Sequence, residues 1–283
     1  MNGIKKNLPD FLVIGVQRAG TTWLYTQLKK HPDICMGKHR KEISYFDKYY
    51  DRGEQWYKAF FEQCEKEKII GEVSPNYIYD TNCAERIYKL VPEVKLIIVL
   101  RNPINRAYYQ YKKKVVDFGN KKSFMENLKN MRKIPERGLY YKQIKRYLKY
   151  FSRNNIRFLI FEEMTNNPEE NLRKVFGFLG VNPSFLPDGY QKNVNPSEMP
   201  RFHKLYIFFK KVGERLHEYN LSWAVKVWKN LRLNEILFLK KGQDKSFNTI
   251  PEEAYEYLKN YYKEDIEKLS KLIGRDMRKF WKI

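Results

Sequence analysis

The sequence is poor in cysteine and has no long hydrophobic run. Its three cysteines, an odd number without CxxC spacing, argue against a disulfide scaffold and a zinc site and predict a protein of the reducing cytoplasm. Apolar stretches such as Phe11–Val16 and Leu96–Leu100 are the size of strands and fall far short of the roughly 18 residues that span a membrane. No apolar segment of a secretory signal occurs in the opening MNGIKKNLPD, and no internal repeat or flexible linker is found.

Positive charge dominates what is present. The 55 Lys and Arg residues exceed the 33 Asp and Glu residues and give a formal net charge of +22. A content of 42% hydrophobic and 16% aromatic residues excludes a disordered basic tail, because disorder requires few aromatic residues. The chain is therefore expected to be a folded protein with an anionic partner. Nucleic acid, an acidic lipid surface, a phosphorylated nucleotide and an acidic glycan all fit this charge.

The apolar pattern alternates between strand and helix. It predicts strands at Phe11–Val16, Ile69–Glu72, Lys95–Leu100 and Ile156–Phe161, and helices at Thr21–Lys30, Ala84–Val91, Asn105–Val116, Tyr140–Tyr150 and Pro168–Leu179. Such alternation is typical of right-handed crossovers and a parallel sheet, which binds ligands at the carboxyl ends of its strands. We expect an α/β fold with a P-loop-like parallel β-sheet flanked by helices and a mostly helical C-terminal portion, which includes a long amphipathic helix at Glu252–Ile273. Residues 1–283 are expected to form one domain, with a core at 10–182 and a helical acceptor or lid region at 200–283.

The loop after the first predicted strand has the spacing of a phosphate loop. Its sequence, GVQRAGTT from Gly15 to Thr22, matches G-x-x-x-x-G between a strand and a helix. The glycines allow backbone N–H groups to point at an anion, and the helix N-terminus adds positive partial charge. Thr21 stands where a nucleotide triphosphatase has Lys, and Arg101 stands where a magnesium-binding Asp is expected. These two positions disfavour chemistry on ATP–Mg²⁺ and favour an anion bound without a metal. A glycine turn without a ligand is the alternative.

Arg101 follows the strongest predicted strand and gives a second anion contact. Pro103 suits the first turn of a helix, so Arg101 is expected at the strand tip, facing the same crevice as the first loop. A guanidinium at that place can bind a phosphate with two hydrogen bonds. Arg106 lies deeper in the helix, where a structural ion pair and a functional contact are equally open.

Several segments together resemble one family. In chain order they are FLVIGVQRAGTTWL, KEISYFD, GEVSPNY, IIVLRNPINRAYYQY and FEEM. This set resembles the PAPS-dependent sulfotransferases, and most of all their bacterial branch related to heparan-sulfate sulfotransferases; the resemblance covers residues 10–182 well and continues more weakly to the end. It implies a parallel α/β fold and 3′-phosphoadenosine 5′-phosphosulfate (PAPS) as donor, with PAP as product and no metal. The implied acceptor is a hydroxyl or amine, of a glycan or of another sugar-containing or small metabolite.

The resemblance also implies the donor site. The implied 5′-phosphosulfate contacts are in the first loop, at Arg18, Ala19, Gly20, Thr21, Thr22 and Trp23. Arg101 is implied to hold the 3′-phosphate, with Tyr109 at the position where the family has Ser. The late segment with Lys241 and Gly242 resembles the family loop that closes over the nucleotide, although a solvent-facing basic turn is equally open.

The Lys41-Glu42 pair matches the family's Lys-Glu motif and implies the catalytic groups. Glu42 is expected to be the general base that takes the proton of the attacking hydroxyl. Arg18 and Lys41 are expected to stabilise the charge that moves onto the bridging oxygen in a metal-free in-line transfer. Without the resemblance, Glu42 would be interpreted as a solvated charge in a basic loop.

Three further residues are candidates for binding the acceptor. Glu72 and Ser74 lie in the segment GEVSP, which corresponds to a lining of the family's active cleft. Glu72 is expected to orient either a loop or the acceptor, and Ser74 to contact either substrate. His39 is a further acid–base candidate close to Glu42.

Two other functions remain open at this point. One is a P-loop kinase or other nucleotide-dependent transferase, against which the missing GK[ST] sequence counts. The other is a basic nucleic-acid-binding protein, which the net charge supports but no recognised motif does. The expected partners are therefore PAPS and an acceptor, without nucleic acid. A peripheral membrane contact and the oligomeric state stay undetermined.

Overall fold

The computed structural model describes residues 7–38, 40–65, 67–118, 122–191 and 249–283. Three predicted site residues, His39, Lys241 and Gly242, lie outside the described residues, as does most of the predicted lid region.

A parallel sheet of five strands forms the centre of the described fold. The strands are β1 Phe11–Gly15, β2 Ile34–Met36, β3 Ile69–Val73, β4 Lys95–Leu100 and β5 Ile156–Ile160, in the spatial order β2-β3-β1-β4-β5. All residues of β1, and all of β4 after Lys95, are buried, as expected for central strands of a parallel sheet. The predicted fold class and the positions of four strands are confirmed. Strand β2 was missed because three residues are too short to show a pattern.

The described residues also form helices before, between and after the strands. In chain order they are α1 Thr21–Lys30, α2 Gly53–Lys58, α3 Cys83–Leu90, α4 Pro103–Phe118, α5 Phe124–Asn130, α6 Lys133–Glu136, α7 Tyr140–Tyr147, α8 Phe161–Asn166, α9 Pro168–Leu179, α10 Glu252–Ile273 and α11 Met277–Trp281. The predicted bounds of α1, α9 and α10 are confirmed. Helix α9 begins with proline in its first turn and ends at Gly180, whose φ of 83° is the left-handed conformation that ends many helices.

The register of the sheet brings three strand ends together. Strand β1 lies between β3 and β4, and Val13 is aligned with Val73 on one side and Ile97 on the other. The loops that leave β1, β3 and β4 therefore start side by side at one edge. These loops carry Arg18, Ser74 and Arg101, so the topology gathers residues that are far apart in sequence.

Two compact units are distinguished by their internal contacts. The first contains Met1–Arg106, Arg137–Val194 and Tyr261–Ile283, and the second contains Ala107–Glu136 and Asn195–Asn260. The first unit holds the whole sheet. In the second, the Tyr108 hydroxyl donates to the Thr249 carbonyl over 2.9 Å, and the Tyr108 and Phe124 rings are 5.0 Å apart. The expectation of a single domain stays a prediction. In the described ranges, no helix is long and apolar enough to cross a membrane.

The expectation that the chain has no disulfide is wrong. Cys35 in β2 and Cys64 beyond α2 form a disulfide across a sequence separation of 29, while the buried Cys83 keeps a free thiol. Spacing along the chain could not show this pair, because β2 brings Cys35 next to a segment that returns after α2. The cytoplasmic location stays a prediction, but the cysteine content no longer supports it.

We predict two results for the thiols. Alkylation of the denatured, non-reduced protein should label one cysteine, and prior reduction should raise the count to three. Reduction should also lower the free energy of unfolding by about 3.5 kcal/mol, because the open chain gains entropy when a loop of this length is released. Mass spectrometry and urea unfolding measure the two effects. Three labelled cysteines without reduction would contradict the disulfide.

Candidate functional site

The loop between β1 and α1 is built to present backbone N–H groups. Arg18 and Gly20 both have positive φ, at 70° and 80°, so the chain turns sharply before the helix begins at Thr21. A Cβ at Gly20 would lie 2.9 Å from the Phe161 ring, so a larger residue there would be both strained and crowded. The first turn of α1 has no acidic residue and no side-chain cap. This N-terminus is therefore electropositive and suited to an anion.

Lys41 connects this helix terminus to the predicted base. Its ammonium group donates to the Thr22 hydroxyl over 3.0 Å and to the Glu42 carboxylate over 3.2 Å, with a longer contact of 3.5 Å to the Thr21 hydroxyl. Burial lowers the pKa of Lys41; the Glu42 carboxylate opposes this effect and the charge of Arg18 adds to it. The structure thus brings five predicted residues together around the start of α1, namely Arg18, Thr21, Thr22, Lys41 and Glu42.

Glu42 lies at the open side of this cluster. Its side chain is 44% exposed, against 18% for Lys41, so a dissolved acceptor can reach the carboxylate. The ion pair with Lys41 keeps the carboxylate beside the helix terminus. This arrangement has a carboxylate next to a loop suited to an anion, which is what acid–base chemistry on a bound anion requires.

Arg101 braces the loop from the end of β4. Its guanidinium is buried, donates to the Arg18 carbonyl over 2.9 Å and lies 4.3 Å from the centre of the Phe161 ring. The Arg101 carbonyl accepts a hydrogen bond of 2.8 Å from the Tyr140 hydroxyl. Arg101 is therefore part of the loop's support. Its predicted contact with a 3′-phosphate stays a prediction.

Glu162 is a supporting residue that sequence reasoning missed. Directly after β5, its carboxylate accepts from the Asn102 backbone N–H over 2.9 Å and from the Trp281 indole over 3.2 Å. The Asn102 side chain in turn donates to the Trp281 carbonyl and caps the start of α4 by accepting from the Ile104 N–H. Only the fold brings β4, β5 and α11 together, so no local signal indicated this role.

Arg137 is a second residue near the strand ends that no sequence pattern indicated. It precedes α7, and its guanidinium donates to the Asn76 side chain over 2.6 Å and stacks 4.2 Å from the centre of the Tyr79 ring. Burial and the nearby charge of Arg106 lower the pKa of Arg137 to about 10. A cation thus lies at the end of β3, on the side of β1 opposite to Arg101.

Glu72 and Ser74 lie in the interior. Each is 1% exposed, and their side chains hydrogen-bond to each other over 2.5 Å. The Ser74 hydroxyl also accepts from the Ser44 backbone N–H over 3.3 Å. Glu72 was expected to orient either a loop or the acceptor and Ser74 to contact either substrate, and the substrate contacts expected of both residues stay predictions. The contacts favour the loop-orienting role.

The other predicted donor-site residues that the structure describes are Ala19, Trp23 and Tyr109. Ala19 is fully buried in the loop, and the Trp23 indole donates to the Tyr190 carbonyl over 2.8 Å, which ties α1 to the chain after α9. Tyr109 is 37% exposed on α4, in the second unit, with the Lys112 ammonium 5.5 Å from its ring centre. The donor contacts expected of these residues stay predictions. Within the described part of the chain, no group of three or more His, Cys, Asp or Glu residues could hold a metal ion.

Sulfotransferases are among the known proteins that this chain resembles. The sequence profile of the sulfotransferase domain matches residues 8–277. The membrane-associated sulfotransferase kil1 of Dictyostelium discoideum is 45% identical over 107 residues, which are 37% of this chain and 22% of that protein. Heparan sulfate glucosamine 3-O-sulfotransferase 6 of Mus musculus is 28% identical over 193 residues, 62% of this chain and 54% of that protein. The chain thus spans about half or less of the length of these relatives.

The fold also matches a solved structure. A sulfotransferase from Alicyclobacillus acidocaldarius superimposes with a TM-score of 0.71, covering 98% of this chain and 99% of that chain, at 24% sequence identity. At this level of identity the likeness establishes the fold alone.

We predict that Arg101→Ala weakens the binding of PAP at least about tenfold, because a buried charged donor is lost and the loop loses its brace. Arg101→Lys should fall between, since it keeps the charge but not the planar fork. Arg173→Ala, on the outer face of α9, is the matched control and should bind normally. Isothermal titration with PAP measures the affinities, and thermal melting without ligand checks the fold. Unchanged affinity in a folded Arg101→Ala protein would exclude Arg101 from the anion site.

Proposed function

The chain belongs to the sulfotransferase family, and we propose that it moves a sulfuryl group from PAPS to an acceptor hydroxyl or amine, with Glu42 as general base. The observation that carries this proposal is the position of Lys41, whose ammonium group contacts both the Thr22 hydroxyl at the anion-binding helix terminus and the Glu42 carboxylate. Family membership favours this function over the kinase and nucleic-acid-binding alternatives.

The donor is proposed to lie across the ends of β1 and β4. The N–H groups at the start of α1, with the hydroxyls of Thr21 and Thr22, fit the 5′-phosphosulfate. Arg101 supplies a cation at the neighbouring strand end. Its place, where a magnesium-binding Asp would be expected, fits a donor that needs no metal.

The proposed transfer is in-line. The acceptor oxygen attacks sulfur while the bond from sulfur to the 5′-phosphate oxygen breaks, and the electron pair of that bond stays with the nucleotide as PAP. The hydroxyl proton passes to the Glu42 carboxylate. Lys41 and Arg18 stabilise the charge that grows on the leaving oxygen, as fixed positive groups do in related transfers.

We predict that Glu42→Gln loses transfer by about 100-fold or more and keeps its affinity for PAP, because the amide cannot accept the proton. The control is Glu62→Gln, which changes an exposed carboxylate in the chain after α2 and should retain activity. Transfer of labelled sulfate from PAPS to a panel of hydroxyl and amine acceptors measures the effect. Near-normal turnover of Glu42→Gln would show that another group is the base.

We further propose that the acceptor is an acidic glycan. A cavity of about 500 Å³ lies in the first unit between α7 and the part of α10 from Tyr261 on. Its lining includes Lys142, Lys145 and Lys149 together with the rings of Tyr141 and Tyr261. Lysines at this spacing share one helix face, and tyrosine rings offer apolar surface to sugar rings.

The two carboxylates of this cavity are already engaged. Asp265 accepts from the backbone N–H groups of Tyr141 and Lys142 over 2.9 and 3.0 Å, and Glu264 forms an ion pair with Lys268. The cavity therefore has a surplus of positive charge, which complements the carboxylates or sulfates of an acidic chain. The heparan sulfate named in the relative from Mus musculus is such a glycan.

We predict that changing Lys142, Lys145 and Lys149 together to Gln raises KM for a uronate-containing oligosaccharide about tenfold and leaves kcat and PAP binding unchanged. Loss of three cationic contacts weakens binding of the acidic chain without touching the reacting groups. The control, with equal net charge, changes the exposed lysines Lys89, Lys129 and Lys174 to Gln. Steady-state kinetics are measured with the oligosaccharide and its carboxyl-reduced, neutral counterpart. Equal effects of the two triple variants on KM would contradict specific binding of the glycan in this cavity.

A further inference from the structure

The Glu72 carboxylate is buried, so it can influence the site only through the residues that it contacts. We propose that Glu72 is a positioning residue: through Ser74 and Tyr77 it fixes the backbone after Glu42 and so holds the Lys41-Glu42 pair at the start of α1. The inference rests on the proposed function, because its importance for transfer depends on Glu42 acting there.

The carboxylate is enclosed by hydroxyl groups. One oxygen accepts from the Ser74 hydroxyl over 2.5 Å and from the Tyr77 hydroxyl over 2.6 Å, and the other accepts from the Tyr57 hydroxyl. Burial raises the pKa of Glu72, and these hydrogen bonds oppose that rise. All these contacts are with neutral groups. The buried carboxyl group is held by its three hydroxyl donors, which it orients in return.

The hydroxyls pass this orientation on to the loop. Each has one proton, and Ser74 and Tyr77 both give theirs to Glu72, so their lone pairs are left to accept from elsewhere. Ser74 accepts from the Ser44 backbone N–H over 3.3 Å, and Tyr77 accepts from the Tyr45 backbone N–H over 2.9 Å. We call these hydrogen bonds from Glu72 through Ser74 and Tyr77 the relay. It ends on the backbone N–H groups of Ser44 and Tyr45, two and three residues after Glu42.

The loop needs this support because its backbone is strained. Ser44 has a φ of 60°, in the left-handed region that is unfavourable for a residue with a side chain. Such a conformation persists only where surrounding contacts hold it in place. The bonds to Ser44 and Tyr45 are at this turn, so losing them is expected to free the segment that carries Glu42.

A pair of tyrosines separates this role from general packing. Tyr57 and Tyr77 both donate to Glu72 and both are fully buried, and the Phe46 ring lies 5.3 Å from the ring of Tyr57 and 5.4 Å from that of Tyr77. Only Tyr77 of the two also accepts from the loop backbone. Removing the hydroxyl of Tyr57 therefore takes a donor from Glu72 and leaves the link to the loop, whereas removing that of Tyr77 breaks the link.

The test compares Tyr77→Phe with Tyr57→Phe. We expect Tyr77→Phe to lower kcat roughly 10- to 100-fold, as misplacement of a reacting group does, with PAP affinity within about threefold of normal. Tyr57→Phe should keep kcat within about threefold. Ser74→Ala should lose kcat as Tyr77→Phe does, and Ser74→Thr, which restores the hydroxyl, should recover it. Wild-type kcat in Tyr77→Phe and Ser74→Ala, or an equal loss in Tyr57→Phe, would overturn the proposal.

Hydrogen exchange tests the same link without any substrate. The amides of Ser44 and Tyr45 should exchange at least about tenfold faster in Tyr77→Phe than in Tyr57→Phe, because a lost hydrogen bond opens the turn. Equal protection in both variants would contradict the relay even if Glu42→Gln abolished transfer. Faster exchange with an active Glu42→Gln protein would instead keep the relay and remove Glu42 as the base. If Tyr77→Phe does not fold, Ser74→Ala and Ser74→Thr decide the same question.

Discussion

The contact between Lys41 and Thr22 is the interaction on which the site depends. It joins side chains that are 19 residues apart, one at the start of α1 and one in a loop beyond β2. Through it the predicted base is held beside a helix terminus that is suited to an anion. In the proposed sulfuryl transfer, the proton acceptor and the anionic sulfuryl donor must lie at one place, and the Lys41 ammonium group contacts both the helix terminus and the Glu42 carboxylate.

Each partner of that contact has its own support. On the helix side, Arg101 braces the loop by its bond to the Arg18 carbonyl, and Glu162 ties the end of β4 to α11. On the base side, the hydroxyls of Ser74 and Tyr77 accept from the backbone N–H groups of Ser44 and Tyr45, directly after the Lys41-Glu42 pair. Rigid support of this kind matters because catalysis falls steeply when a reacting group moves by as little as one ångström.

Much of the donor side could be predicted from the sequence. The strand, the glycine-containing loop and α1 form one continuous segment, so their pattern is local and α1 was found with its observed bounds. The choice of Lys41 and Glu42 as candidates came from a resemblance, and the contact of Lys41 with Thr22 is known only from the folded structure. Strand β2, the cysteine pair and Arg137 could not be predicted, because each depends on segments that meet only after folding.

Periodicity, glycine placement and composition were enough to give four of the five described strands, the bounds of α1, α9 and α10, the electropositive turn before α1 and the excess of basic residues. The tertiary structure alone decided which residues surround the turn. The parallel register placed the ends of β1, β3 and β4 side by side, and it buried Glu72 beneath the base loop. A carboxylate in a sequence has no fixed role, because its role depends on whether folding leaves it in water or encloses it among donors.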